Sequence, residues 1–139
     1  MPEELESVGI WGFRNSGLES FVAPKGLRTV HQGAFYKCEH LKTVKFNEGL
    51  EVLGMGEQPD SMDLNGVFEE SAVENVELPS TLRVIEYDAF MDCKNLKNVQ
   101  LPEKLEYVGN SCFYGSGLES IALPSSIRVI GPYAFCECR

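Results

Sequence analysis

The sequence predicts a mainly β solenoid of about six coils, 22–23 residues each, with short parallel strands on two faces. Three observations predict it. Phenylalanine sets a period, falling at Phe13, Phe35, Phe68, Phe90, Phe113 and Phe135 in steps of 22, 33, 22, 23 and 22. Five residues before each Phe, except in the long step, stands Val8, Val30, Ile85, Val108 or Ile130, and three before that Leu5, Leu27, Leu82, Leu105 or Ile127. Leu50 and Leu53 fill the two slots in the long step. Proline marks one corner per coil at Pro2, Pro24, Pro79, Pro102 and Pro124, with Asn47 in its place once. A repeat of this length indicates a solenoid. One coil cannot bury its own apolar face, whereas stacked coils share a continuous core, so each rung needs the same side chain as the last.

The elements of a coil follow in fixed order. "LESIAL" (118–123) carries apolar residues at its fourth and sixth positions, the alternation of a half-buried strand. Proline follows at the corner, where its missing N–H costs no ladder bond. "SSIRVI" (125–130) supplies a second, shorter extended piece. A turn or short 3₁₀ stretch is expected near the Phe. The closing residue alternates as Ser16, Cys38, Ser71, Cys93, Ser116, Cys138, so the full unit is a pair of coils. The long step contains an insertion at about 55–64, "MGEQPDSMDL", which stacking does not require.

Charge follows the same two-coil rhythm. The residue after the first Leu reads Glu19, Lys42, Glu74, Lys97, Glu119, and the residue after the second reads Glu6, Arg28, Glu51, Arg83, Glu106, Arg128. Opposite charges one rung apart attract, and a slip by one coil sets like charges side by side, so these columns fix register.

Composition bounds the function classes. The 139 residues suffice for a single domain, 1–139, and 43% hydrophobic residues can fill its core. A formal charge of −9 with no Lys/Arg run speaks against nucleic acid and anionic lipid as partners. No stretch approaches the apolar length of a membrane span, so no membrane insertion is expected, and "MPEELESVGIW" lacks the basic and apolar regions of a signal peptide.

Segments such as "LPSTLRVIEYDAFMDCKNLKNVQLP" (78–102) closely resemble the leucine-rich repeats of the BspA-like, Treponema pallidum-type family. The resemblance covers residues 2–139 apart from the insertion. It implies a right-handed curved leucine-rich repeat solenoid, used for protein binding on bacterial cell-surface or secreted proteins. An extracellular or surface location is implied in the same way. Asn47 for Pro, and His31 and Glu86 for Gly, depart from the pattern and point to local loop variation.

Several residues could carry chemistry. Cys38, Cys93 and Cys138 lie on alternate rungs, about 10 Å apart and beyond disulfide reach. Cys112 takes a small slot held elsewhere by Ala34, Ala89 and Ala134, and Cys136 is the expected exposed thiol. His31 and His40 belong to no triad or metal pattern. No enzyme activity and no cofactor are expected. Two surfaces remain. The outer side of the first sheet presents Ser20, Thr43, Asn75, Asn98 and Ser120 in one row, and Val22, Lys45, Glu77, Gln100 and Ala122 in another. The insertion offers Glu57, Asp60 and Asp63 as a specificity loop or a weak cation site. The expected function is a non-enzymatic protein-binding module, recognising a host surface or matrix protein; the alternative is a structural spacer. The chain starts in a corner slot and stops after Cys138, so a longer array or end-to-end self-association through Ile121, Leu123, Ile127 and Ile130 is expected.

Overall fold

In the computed structural model the structure is described for residues 6–9, 12–55 and 66–138. Nine short strands occur among them: β1 (Ser7–Val8), β2 (Ser20–Val22), β3 (Thr29–His31), β4 (Thr43–Lys45), β5 (Val52–Met55), β6 (Asn75–Glu77), β7 (Val84–Ile85), β8 (Tyr107–Val108) and β9 (Val129–Ile130). All pair in parallel. Six form one sheet in the order β1-β3-β5-β7-β8-β9, and three form a second in the order β2-β4-β6. The chain is a mainly β repeat solenoid in which sequence columns become ladder columns: Val8 pairs with Val30, Leu53 with Ile85, Ile85 with Val108, and Val108 with Ile130.

The corners are turns. The carbonyls of Pro24, Pro79, Pro102 and Pro124 each accept the N–H three residues on, at 3.1–3.2 Å. Asn47 does the corner's work differently, its Nδ2 donating to the carbonyls of Lys25, Leu27 and Glu48 at 2.9–3.0 Å and tying the corner to the preceding coil.

On the Phe side, successive turns replace any regular helix. The N–H of Phe13, Phe35, Phe68, Phe90 and Phe113 each donates to a carbonyl of the next coil at 2.7–2.8 Å, a third ladder along the stack. The six rings form one column with centroids 5.1–5.4 Å apart and planes within 11° of parallel. Phe35 to Phe68 spans the long step, yet their centroids are 5.1 Å apart, so the insertion leaves the column intact.

The insertion starts from a bulge. The register of β3 against β5 shifts between Val30 and His31, where Gly54 adopts φ +102°. A side chain there would press on the Glu86 Cβ of the next rung, within 2.8 Å. Glycine at 54 is thus what makes room for Glu86, the residue standing where Gly109 and Gly131 stand in later coils.

The Ser/Cys alternation also has a geometric basis. The thiols of Cys38, Cys93 and Cys138 donate to the carbonyls of Phe13, Phe68 and Phe113 at 3.0–3.2 Å and lie 3.5–3.8 Å from the hydroxyls of Ser16, Ser71 and Ser116. Every bond runs from a Cys coil to the Ser coil before it, which makes the pair of coils a physical unit.

In one respect the stack differs from two sheets of equal length. The second sheet ends at β6, and residues 98–100 and 120–122 do not join it as strands. Phe21 and Phe46 tie β2 and β4 to the Phe column, at 5.1 Å from Phe35 and 6.0 Å from Phe68, while the coil of β6 carries Val76 and Leu78 at the matching depth, as the next coil carries Val99 and Leu101. A groove of about 520 Å³ opens where the ladder stops, between Val76–Leu78 and Gln100–Pro102.

Candidate functional site

The three-stranded sheet places the early members of both expected rows in register. Ser20 pairs with Thr43 and Thr43 with Asn75; Val22 pairs with Lys45 and Lys45 with Glu77. Strand alternation turns Phe21, Val44 and Val76 inward and leaves these six exposed. Lys45 Nζ lies 3.8 Å from Glu77 Oε2 on open surface. Asn98, Gln100, Ser120 and Ala122 are also exposed, but on the part of the face where strand pairing has ceased. Glu57, Asp60 and Asp63 lie outside the described residues.

The charge columns close into ion pairs in the later coils, whereas, among the described residues, Arg28 and Lys42 form none with the acids on either side of them. Arg83 bridges Glu106 at 2.7 Å and Glu51 at 3.9 Å, Arg128 lies 3.8 Å from Glu106, and Lys97 lies 3.6 Å from Glu119. In the turns on the Phe side, burial, then the charges of Glu69 and Asp92, push the Asp88 carboxyl up to about 6. The thiols are inert by environment: burial pushes Cys93 up to about 12 and raises Cys112 well above the usual thiol range, while Cys136 is exposed. Among the described residues no group of three His, Cys, Asp or Glu is arranged to hold a metal ion, and no helix is long and apolar enough to cross a membrane.

The sequence reading passed over the outer face of the six-stranded sheet. There Val52, Val84, Tyr107 and Val129 line up on successive rungs, in a groove of about 460 Å³ between the Glu51–Arg83–Glu106–Arg128 ladder and Glu86. The signal was present: the slot before each inward Val, Leu or Ile reads Ser7, Thr29, Val52, Val84, Tyr107, Val129, polar in the first coils and apolar in the last four.

The model of the BspA type leucine-rich repeat region matches residues 1–57 and 64–139 as six copies. Similar solved structures include two leucine-rich repeat proteins. A leucine-rich repeat protein from Bacteroides ovatus superposes with a TM-score of 0.82 at 26% identity, over 94% of this chain and 32% of that one. The T. pallidum leucine-rich repeat protein gives 0.72 at 28% identity, over 86% of this chain and 55% of that one. The chain thus spans less than two thirds of either. No curated protein matches it.

Proposed function

From the chain's membership of the BspA-type leucine-rich repeat family, we propose that it is a non-enzymatic protein-binding module of a surface or secreted protein, recognising a host surface or matrix protein through the three-stranded sheet. Repeat modules of this kind serve interaction or scaffold roles. One observation carries the choice of face. Ser20, Thr43 and Asn75, with Val22, Lys45 and Glu77, stand exposed and in register on a rigid ladder, and none is needed for packing. Rigid placement of polar groups lowers the ordering cost of binding. The face lacks aromatic and Arg anchors, so affinity is modest.

The test is capture from extracellular-matrix and cell-surface material by the immobilised chain and by a variant carrying Thr43→Ala, Lys45→Ala, Asn75→Ala and Glu77→Ala. A binding module retains a protein that the variant loses. A spacer retains the same proteins, or none, in both forms.

Self-association belongs to the same proposal. Ile130 and Leu123 are 40% and 50% exposed, while Val108 and Leu101, their counterparts one rung earlier, are 0% and 6% exposed. A second copy covering that rung gives a mass that rises with concentration in light scattering; a strictly monomeric chain contradicts it.

A further inference from the structure

We propose that the outer face of the six-stranded sheet is a second docking surface, whose occupant is an amphipathic helix with an apolar ridge and a basic flank. The stripe Val52, Val84, Tyr107, Val129 runs along the stack, one side chain per rung. Rungs are about 4.8 Å apart, so three spacings span about 14 Å, the length of about ten helical residues. One turn of helix rises about 5.4 Å, so a ridge of apolar side chains three and four residues apart meets the stripe nearly rung for rung. Width points the same way. β7, β8 and β9 hold two residues each and β5 four, so the ordered face is about 7 Å across at most rungs, a seat on which one helix can lie but too narrow to pack a second sheet.

Charge selects the flank. On one side of the stripe Glu51, Arg83, Glu106 and Arg128 satisfy one another through ion pairs of 2.7–3.9 Å and offer a partner no net charge. On the other side stands Glu86, half-buried, its N–H bonded to the Leu53 carbonyl but its carboxylate with no ion pair or hydrogen bond among the described residues; burial raises its pKa. A helix seated on the stripe covers that carboxylate further, which is costly against an apolar or acidic flank and favourable against Lys or Arg. This surface lies on a different sheet from the rows of the proposed function and does not depend on them.

The probe is a labelled helical peptide of about fourteen residues, with leucine at every third or fourth position and lysine along one flank. Two controls go with it, one with glutamate in place of lysine and one with the same residues scrambled. Fluorescence anisotropy with the full chain should show saturable binding of the lysine peptide, weakened about tenfold or more by Val84→Asp or by Val129→Asp on the exposed last rung. Glu86→Gln should weaken it about fivefold and remove the preference for lysine over glutamate. Urea midpoints confirm that each variant is folded. The four-alanine variant of the other sheet should bind the peptide as the parent does. The proposal is overturned by no saturable binding up to about 1 mM, by equal binding of the scrambled peptide, by indifference to both aspartate variants, or by loss of binding in the four-alanine variant.

Discussion

Removing one ring from the middle of the Phe column should cost far more than removing one from its end. Phe90 is fully buried between Phe68 at 5.3 Å and Phe113 at 5.2 Å, with planes 11° and 5° from parallel. Phe→Ala in a core costs about 3–5 kcal/mol, depending on how far the site collapses. Collapse is resisted at Phe90, because the backbone bonds Phe68 N–H to Ala89 O and Phe90 N–H to Cys112 O, both 2.7 Å, hold the neighbouring rungs apart. Phe90→Ala therefore belongs near the upper end, about 4–5 kcal/mol. Phe135 is partly exposed and touches one ring, Phe113, at 5.4 Å, so Phe135→Ala should cost about 2 kcal/mol. The expected gap of about 2–3 kcal/mol is roughly a hundredfold in the folding equilibrium. Urea titrations followed by circular dichroism measure both, read as stability changes at a common slope. Equal costs within about 0.5 kcal/mol would refute the idea that stability resides in rungs closed from both sides.

Further predictions follow from individual residues. Arg83→Glu places an acid between Glu51 and Glu106, so the melting temperature should fall at low salt and the loss should shrink as salt rises; a salt-independent loss would assign the effect to packing of the Arg stem. Asp88 has a folded pKa of about 6 against 3.8, so the folded state binds the extra proton and stability should rise as pH falls from 7 through 6 toward 4. The full shift amounts to about 3 kcal/mol and, for a carboxyl that remains half-solvated, about 1 kcal/mol. Asp88→Asn should stabilise the chain at pH 7 and flatten that rise, as thermal melts across this range would show. A thiol reagent at neutral pH should label Cys136 within the native state and leave Cys93 and Cys112 untouched until urea unfolds the chain; native labelling of Cys93 would contradict its burial.

The Leu, Val/Ile and Phe columns were legible because stacking demands the same side chain on every rung, and identity at a fixed period is what a sequence displays directly. The Ser/Cys alternation was legible as a pattern, but its cause was not. It depends on where a thiol points, toward a Phe carbonyl 25 residues earlier. The tight turn after each Phe left no trace. Asn15, Lys37, Glu70, Asp92, Gly115 and Glu137 all take φ between 54° and 68°, imposed by the turn on side chains of every kind, with glycine only once. The early end of the second sheet was hidden as well, since β6 reads Asn75-Val76-Glu77 and the unpaired segment Asn98-Val99-Gln100, a pattern that does not mark where pairing stops. On the surface, the exposed rows could be read from strand alternation, and the apolar stripe could be read from the slot before each inward residue, where Val52, Val84, Tyr107 and Val129 follow the polar Ser7 and Thr29.

The repeat columns carry the fold, and the exposed rows of the three-stranded sheet are proposed to carry recognition. The most direct test is the affinity of a captured partner for the parent chain and for Lys45→Glu, with the urea midpoint of each measured alongside. Lys45 is exposed and its ion pair with Glu77 is a surface contact, so the variant should keep its stability within about 0.5 kcal/mol while partner affinity falls about tenfold. Unchanged affinity, or a loss of affinity matched by a loss of stability, would contradict the account.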